Sequence, residues 1–213
     1  MIIREPSSLV SGALSELSTR RRIFHSEADF QHELAWSLRE LVPNCKPRLE
    51  HPVPGLDNAS FDILLNYGQW FVAIELKYLV CGLNVVEQGE VFKLKNQSAR
   101  PVRRYDVFRD LARLERFVRS DPNRSGSLIV LSNDIIYWKE GQRPAGISTA
   151  FSLRQDRHVA GRLEWAESTG AGTMKGREEP IDLAGRYSLR WAEYSDLKIP
   201  KGNFRALRLD VTP

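Results

Sequence analysis

The stretch Phe61 to Tyr78, FDILLNYGQWFVAIELKY, constrains this chain more than any other. Two apolar runs flank Asn66-Tyr67-Gly68-Gln69, a turn-forming group, so the spacing predicts a β-hairpin. Alternate side chains of a strand share a face. Trp70, Val72, Ile74, Leu76, Tyr78 and Val80 then make one apolar face. Phe71, Ala73, Glu75, Lys77 and Leu79 make the other. Both faces read as covered, which predicts an inner strand. Glu75 and Lys77 are thus charges on a largely apolar surface, where charge is costly unless it pairs or binds an ion. Asp62 lies on the first strand, sharing a face with Leu64 and Asn66. The hairpin therefore gathers two carboxylates and one amine.

Around this hairpin the periodicity changes to helical. Ser26 and Asp29 form a capping-box-like start, with Asp in place of the usual Glu or Gln. Phe30, Leu34, Leu38, Leu41 and Val42 then recur at helical spacing, predicting a helix over 24–42 that ends before Pro43. Lys46 to His51 reads as a first strand, followed by a loop through Pro52, Pro54, Gly55, Asp57 and Asn58. Val85 to Lys95 reads as a second hairpin turning at Gln88-Gly89. Val107, Leu111, Leu114 and Val118 predict a second long helix over 103–120, and Ser127 to Ser132 a buried strand. The order from Phe24 to Ser132 is helix, strand, strand, strand, helix, strand.

Asp62 followed by Glu75-Leu76-Lys77, in that element order, resembles the PD-(D/E)xK signature of the restriction-endonuclease-like nuclease superfamily. Phe61 stands where the signature carries Pro. The resemblance covers residues 24–132, a little over half the chain. It implies an α/β (α+β) fold with an αβββαβ core, in which helices flank a mixed central sheet. Residues 133–213 are expected to extend the same single domain with further strands at Ile135–Lys139, Ile147–Leu153, Tyr187–Tyr194 and Ala206–Val211, and a loop over Gly170–Pro180.

The resemblance also implies a chemistry. Phosphodiester hydrolysis needs charge stabilisation at phosphate and an activated water, which a hard divalent cation supplies. Asp62 and Glu75 would be ligands of Mg²⁺, with Mn²⁺ as substitute, and the Leu76 carbonyl a third. Lys77 would stabilise the phosphate or hold the water. A first-helix glutamate often completes such sites. Glu33 is expected to do so, since it is one step, about 100°, from Leu34 and borders the apolar face. Glu27, in the first helical turn, is the alternative. The expected partner is nucleic acid, DNA first, with RNA as the alternative substrate. A non-catalytic binding or assembly subunit of the same fold is the rival function. A homodimer is compatible with the sequence.

Composition narrows the remaining classes. The net charge of +4 is compatible with a nucleic-acid partner. On the second helix Arg103, Arg109 and Arg113 are candidate phosphate contacts. Asp106 with Arg109, and Asp110 with Arg113, fall at ion-pair spacing. The basic run Arg20-Arg21-Arg22 is read as a solvated leader. Cys45 and Cys81 form no Cys-x-x-Cys, and the four histidines lack zinc-ligand spacing, so neither zinc nor a disulfide framework is expected. No apolar run is long enough to span a membrane. Arg4, Glu5 and Glu16 interrupt any signal-peptide core, and a cytoplasmic location is expected.

Overall fold

The computed structural model describes residues 5–42, 45–53, 59–139 and 146–213. Two helices, α1 (Pro6–Arg20) and α2 (Glu27–Leu41), precede three antiparallel strands: β1 (Lys46–Pro52), β2 (Ser60–Tyr67) and β3 (Trp70–Leu79). A separate hairpin, β4 (Leu83–Glu87) and β5 (Glu90–Leu94), leads into α3 (Arg100–Arg119) and β6 (Arg124–Ser132). The chain continues through β7 (His158–Leu163), the short α4 (Ala171–Met174), β8 (Ile181–Ser188), β9 (Trp191–Asp196) and β10 (Asn203–Val211).

The fold is α+β. Six strands form one mixed sheet in the order β1-β2-β3-β6-β10-β9. β3 and β6 run parallel, because α3 carries the chain back over the sheet between them. β3 is an inner strand, as its two covered faces require. Val72, Ile74, Leu76 and Tyr78 join the core beneath α1 and α2, while Ala73 and Leu79 join the core beneath α3. The hairpin turn is tighter than the four residues Asn66 to Gln69 suggested: Asn66 pairs with Phe71 and Tyr67 with Trp70, and Gly68 takes φ +59°, a conformation that favours glycine.

Several expected elements differ. Ser26 caps α2 as the sequence predicts, its side chain accepting from the Asp29 N–H at 3.1 Å. Pro43, Asn44 and the loop residues Pro54, Gly55, Asp57 and Asn58 lie outside the described residues. The strand expected at Ile135–Lys139 is instead a 3-10 turn over Ile135–Tyr137, because Asp134 caps the Ile136 N–H. Ile147–Leu153 holds a 3-10 turn over Thr149–Phe151, not a strand. Tyr187–Tyr194 is two strands broken at Leu189-Arg190, with β8 pairing to β7 and β9 to β10. β9 and β10 extend the main sheet, whereas β7 and β8 form a small sheet that packs on α3.

Arg20, Arg21 and Arg22 are not a solvated leader. Arg20 pairs with Glu40 at 2.8 Å, Arg21 with Asp29 and Glu90 at 2.9 Å each, and Arg22 with Glu87 at 2.6 Å. His25 stacks on Phe92. The run clasps the α1–α2 junction to the β4–β5 hairpin. Cys45 and Cys81 are buried free thiols. No helix among the described residues is long and apolar enough to cross a membrane.

Candidate active site

The site forms where β2 and β3 part. Their ladder runs from Tyr67–Trp70 to Ile63–Ile74. Beyond Ile74, β3 keeps β6 on one edge and loses β2 on the other. Backbone polar groups exposed by that parting must find other partners. Side chains supply them. The Leu76 N–H donates to Asp62 Oδ2 at 2.6 Å, and the Tyr78 N–H to Glu27 Oε2 at 2.7 Å. The Leu76 carbonyl accepts from Lys77 Nζ at 3.1 Å. Gln97 closes the far end, donating to the Tyr78 carbonyl at 3.0 Å and accepting from the Val80 N–H at 3.3 Å.

Glu75 and Lys77 project from β3 toward α3, whose mid-section meets them with charge. Arg113 donates to Glu75 Oε1 through Nε and Nη2, at 3.0 and 2.6 Å. Lys77 Nζ lies 2.6 Å from Asp110 Oδ2, and Arg113 lies 3.2 Å from Asp110 Oδ1. Glu75 and Asp110 are almost fully buried. The four groups alternate in sign, so each buried charge has an opposite neighbour.

The acids nevertheless outweigh the bases. Burial pushes the Asp62 carboxyl up to about 6, against the pull of the Leu76 N–H and Lys77 and with the help of Glu27 and Asp110. Burial, Asp110 and Asp62 push the Glu75 carboxyl up to about 8, although Arg113 pulls it down. Burial works against charge on Lys77, but Asp110, Glu27 and Asp62 prevail and hold its pKa above the ordinary lysine value. With every group ionised, Glu27, Asp62, Glu75 and Asp110 face only Lys77 and Arg113, which leaves two negative charges uncompensated.

Asp62, Glu75, Leu76 and Lys77 are thus brought together, while Glu33 is not. Its nearest ion partner is His32, at 3.9 Å, and its charge acts on Tyr194 in β9. Glu27, the alternative to Glu33, is the α2 glutamate that reaches the parting. Glu27 and Gln31, four residues apart on one face of α2, both reach the parting. Gln31 donates to the Asp62 carbonyl at 2.6 Å and to Glu50 at 2.8 Å. Six positions separate Glu33 from Glu27, which turns Glu33 well away from that face.

The arginines of α3 also divide. Arg113 is turned inward onto Glu75. Arg109 pairs with Asp106 at 2.9 Å and remains substantially exposed. Arg103 donates to the Ser98 carbonyl at 3.1 Å. Asp110 was legible as half of an ion pair with Arg113, but its partnership with Lys77 had no local signal.

No family model matches this chain, and no curated protein or solved structure matches it. Among the described residues, no three His, Cys, Asp or Glu side chains are grouped so as to hold a metal. The donor set still suits a hard divalent cation in kind. Asp62 and Glu75 offer carboxylate oxygens, and two uncompensated negative charges match one such ion. Asp62 Oδ1 and Glu75 Oε2 lie outside the hydrogen bonds described above.

Proposed function

We propose that the protein is a divalent-metal-dependent nuclease with a restriction-endonuclease-like core, hydrolysing phosphodiester bonds in DNA. The observation that carries this reading is the convergence of Asp62, Glu75, Lys77 and Glu27 at the parting of β2 from β3. The element order around it, with β3 and β6 parallel across α3, supports the αβββαβ assignment.

In this reading Asp62 and Glu75 would hold Mg²⁺ or Mn²⁺, with the Leu76 carbonyl as a further donor. When bound, the metal would supply Lewis-acid polarisation of the phosphoryl group and lower the pKa of water. Lys77 acts as a cation, since Asp110, Glu27 and Asp62 keep its amine protonated; it stabilises charge developing on phosphate rather than removing a proton. Glu27 orients solvent at the edge of β3. No nucleophile–base pair is needed, because water is the nucleophile.

A second reading, a non-catalytic nucleic-acid-binding or assembly subunit, has its own support: Arg113 already engages Glu75, and Lys77 already engages the Leu76 carbonyl. Incubation with plasmid, linear duplex, single-stranded DNA and RNA in Mg²⁺, Mn²⁺ or EDTA separates the two. Metal-dependent cleavage of DNA that is lost in EDTA is expected. Binding without cleavage in every metal would move the protein to the second reading, and cleavage of RNA alone would change the substrate.

A further inference from the structure

The strands that carry Asp62 are irregular at Asp62 itself. β1 and β2 pair in one constant register, Leu49 with Ile63 and His51 with Phe61, which sets Glu50 opposite Asp62. The ladder skips that one pair. Glu50 takes φ +50°, in the left-handed region, which is costly for a residue with a Cβ and recurs at functional sites. β2 turns over at the same point. Phe61 and Ile63, two apart, would share a face in a regular strand. Phe61 instead joins the core beneath α3, and Ile63 the core beneath α1 and α2. Asp62, between them, is turned toward the plane of the sheet. Its side chain does not stand off a face, as in a regular strand, but reaches a backbone group of β3, the Leu76 N–H, at 2.6 Å.

Glu50 is exposed, so core packing does not hold its backbone in that conformation. Two hydrogen bonds do. Its Oε1 accepts from Gln31 Nε2 at 2.8 Å, and its Oε2 from Ser60 Oγ at 2.8 Å. Both partners lead back to Asp62. Gln31 Nε2 also donates to the Asp62 carbonyl at 2.6 Å, and Ser60 stands two residues before Asp62 on β2. Gln31 is buried, and its one amide group ties α2 to both residues of the skipped pair.

We propose that Glu50 is a positioning residue of the site. It holds the Gln31 amide on the Asp62 carbonyl and fixes the Ser60 end of β2. The Asp62 carboxylate is thereby kept in the gap between β2 and β3. Ligating carboxylates depend on such outer partners for their orientation. What Asp62 binds there, a hard divalent cation, rests on the nuclease reading; the hold of Glu50 on its orientation does not.

Glu50→Gly removes the carboxylate and enters the left-handed region freely. Its greater freedom in the unfolded chain works the other way, so the unfolding midpoint should stay close to the parent's. In the metal-free protein the Leu76 amide, followed by NMR, should exchange with solvent about fivefold faster, the scale of a weakened hydrogen bond. Mn²⁺ affinity, measured by calorimetry, should fall about tenfold. Glu50→Gln keeps an acceptor for the Gln31 amide and should match the parent in both. If Glu50→Gly fails to fold, Gln31→Met, which keeps the length and removes the amide, decides in its place and should show the same two losses. Parent-like Leu76 exchange would overturn the proposal. Faster exchange with parent-like Mn²⁺ affinity would also overturn it, by making Glu50 purely structural. So would losses in Glu50→Gln equal to those in Glu50→Gly, since the charge of Glu50 and not its hold on Gln31 would then matter. A parent that binds no Mn²⁺ would overturn the nuclease reading, and Leu76 exchange alone would then decide whether Glu50 orients Asp62.

Discussion

Lys77 extends its amine to within 2.6 Å of Asp110, on the helix above it, while Glu75, its neighbour on the strand, is taken by Arg113. The strand charges are neutralised across the sheet–helix interface, not along the strand. Each is therefore hostage to α3.

Asp110→Asn tests that dependence. Asparagine can still accept from the amine, so the change removes charge and little else. Deleting one member of a buried ion pair should cost about 3 kcal/mol. The Glu75 carboxyl should titrate lower, because Asp110 is second only to burial in raising it. Urea unfolding at neutral pH reads the first effect and carboxyl titration by NMR the second. Parent-like stability would mean that solvent, not Asp110, carries the charge of Lys77.

The metal-free protein should lose stability as pH rises. Asp62 ordinarily titrates near 3.8 and rises to about 6 in the fold; Glu75 rises from 4.5 to about 8. A group whose folded pKa is raised contributes stability below its unfolded pKa and loses it as pH passes through the folded value. The decline should therefore fall between about pH 4 and pH 8. Asp62→Asn keeps an acceptor for the Leu76 N–H and removes the Asp62 share. It should be more stable than the parent by about 2 kcal/mol at pH 8 and equal to it near pH 4. Thermal unfolding with and without Mn²⁺ completes the test: the parent should gain from the metal and the variant should not. Equal gains would remove Asp62 from the metal site.

Glu27 and Glu33 should differ in function. Under the nuclease reading, Glu27→Gln should lower the cleavage rate by about tenfold to a hundredfold, the scale of losing a positioned polar group. Glu33→Gln should stay within about twofold of the parent, since its side chain lies near His32 and makes no contact with the site among the described residues. Single-turnover cleavage of a labelled duplex in Mn²⁺ measures both. Reversed effects would return Glu33 to the site and make the contact of Glu27 with Tyr78 purely structural.

Element types were largely legible because they depend on local pattern. The period-two alternation of Trp70 to Val80 predicted an inner strand, and the stripe Val107, Leu111, Leu114 and Val118 predicted its covering helix. Asp62, Glu75 and Lys77 were legible together because a tight hairpin sets their register. Ile135–Lys139 and Ile147–Leu153 misled because short apolar segments suit turns and strands alike until a cap such as Asp134 decides.

What the amino-acid sequence determined by itself was therefore the hairpin, its two covered faces and the three polar residues on it. Tertiary structure alone decided which side chains completed the cluster. Glu33 and Glu27 are both glutamates at plausible positions on α2, and only the face that α2 turns to the parting strands selects Glu27. Asp110 reaches Lys77 only because α3 crosses the sheet at that height. Local periodicity tells which face a residue occupies, but the distance between faces of different elements is set by how the two cores pack.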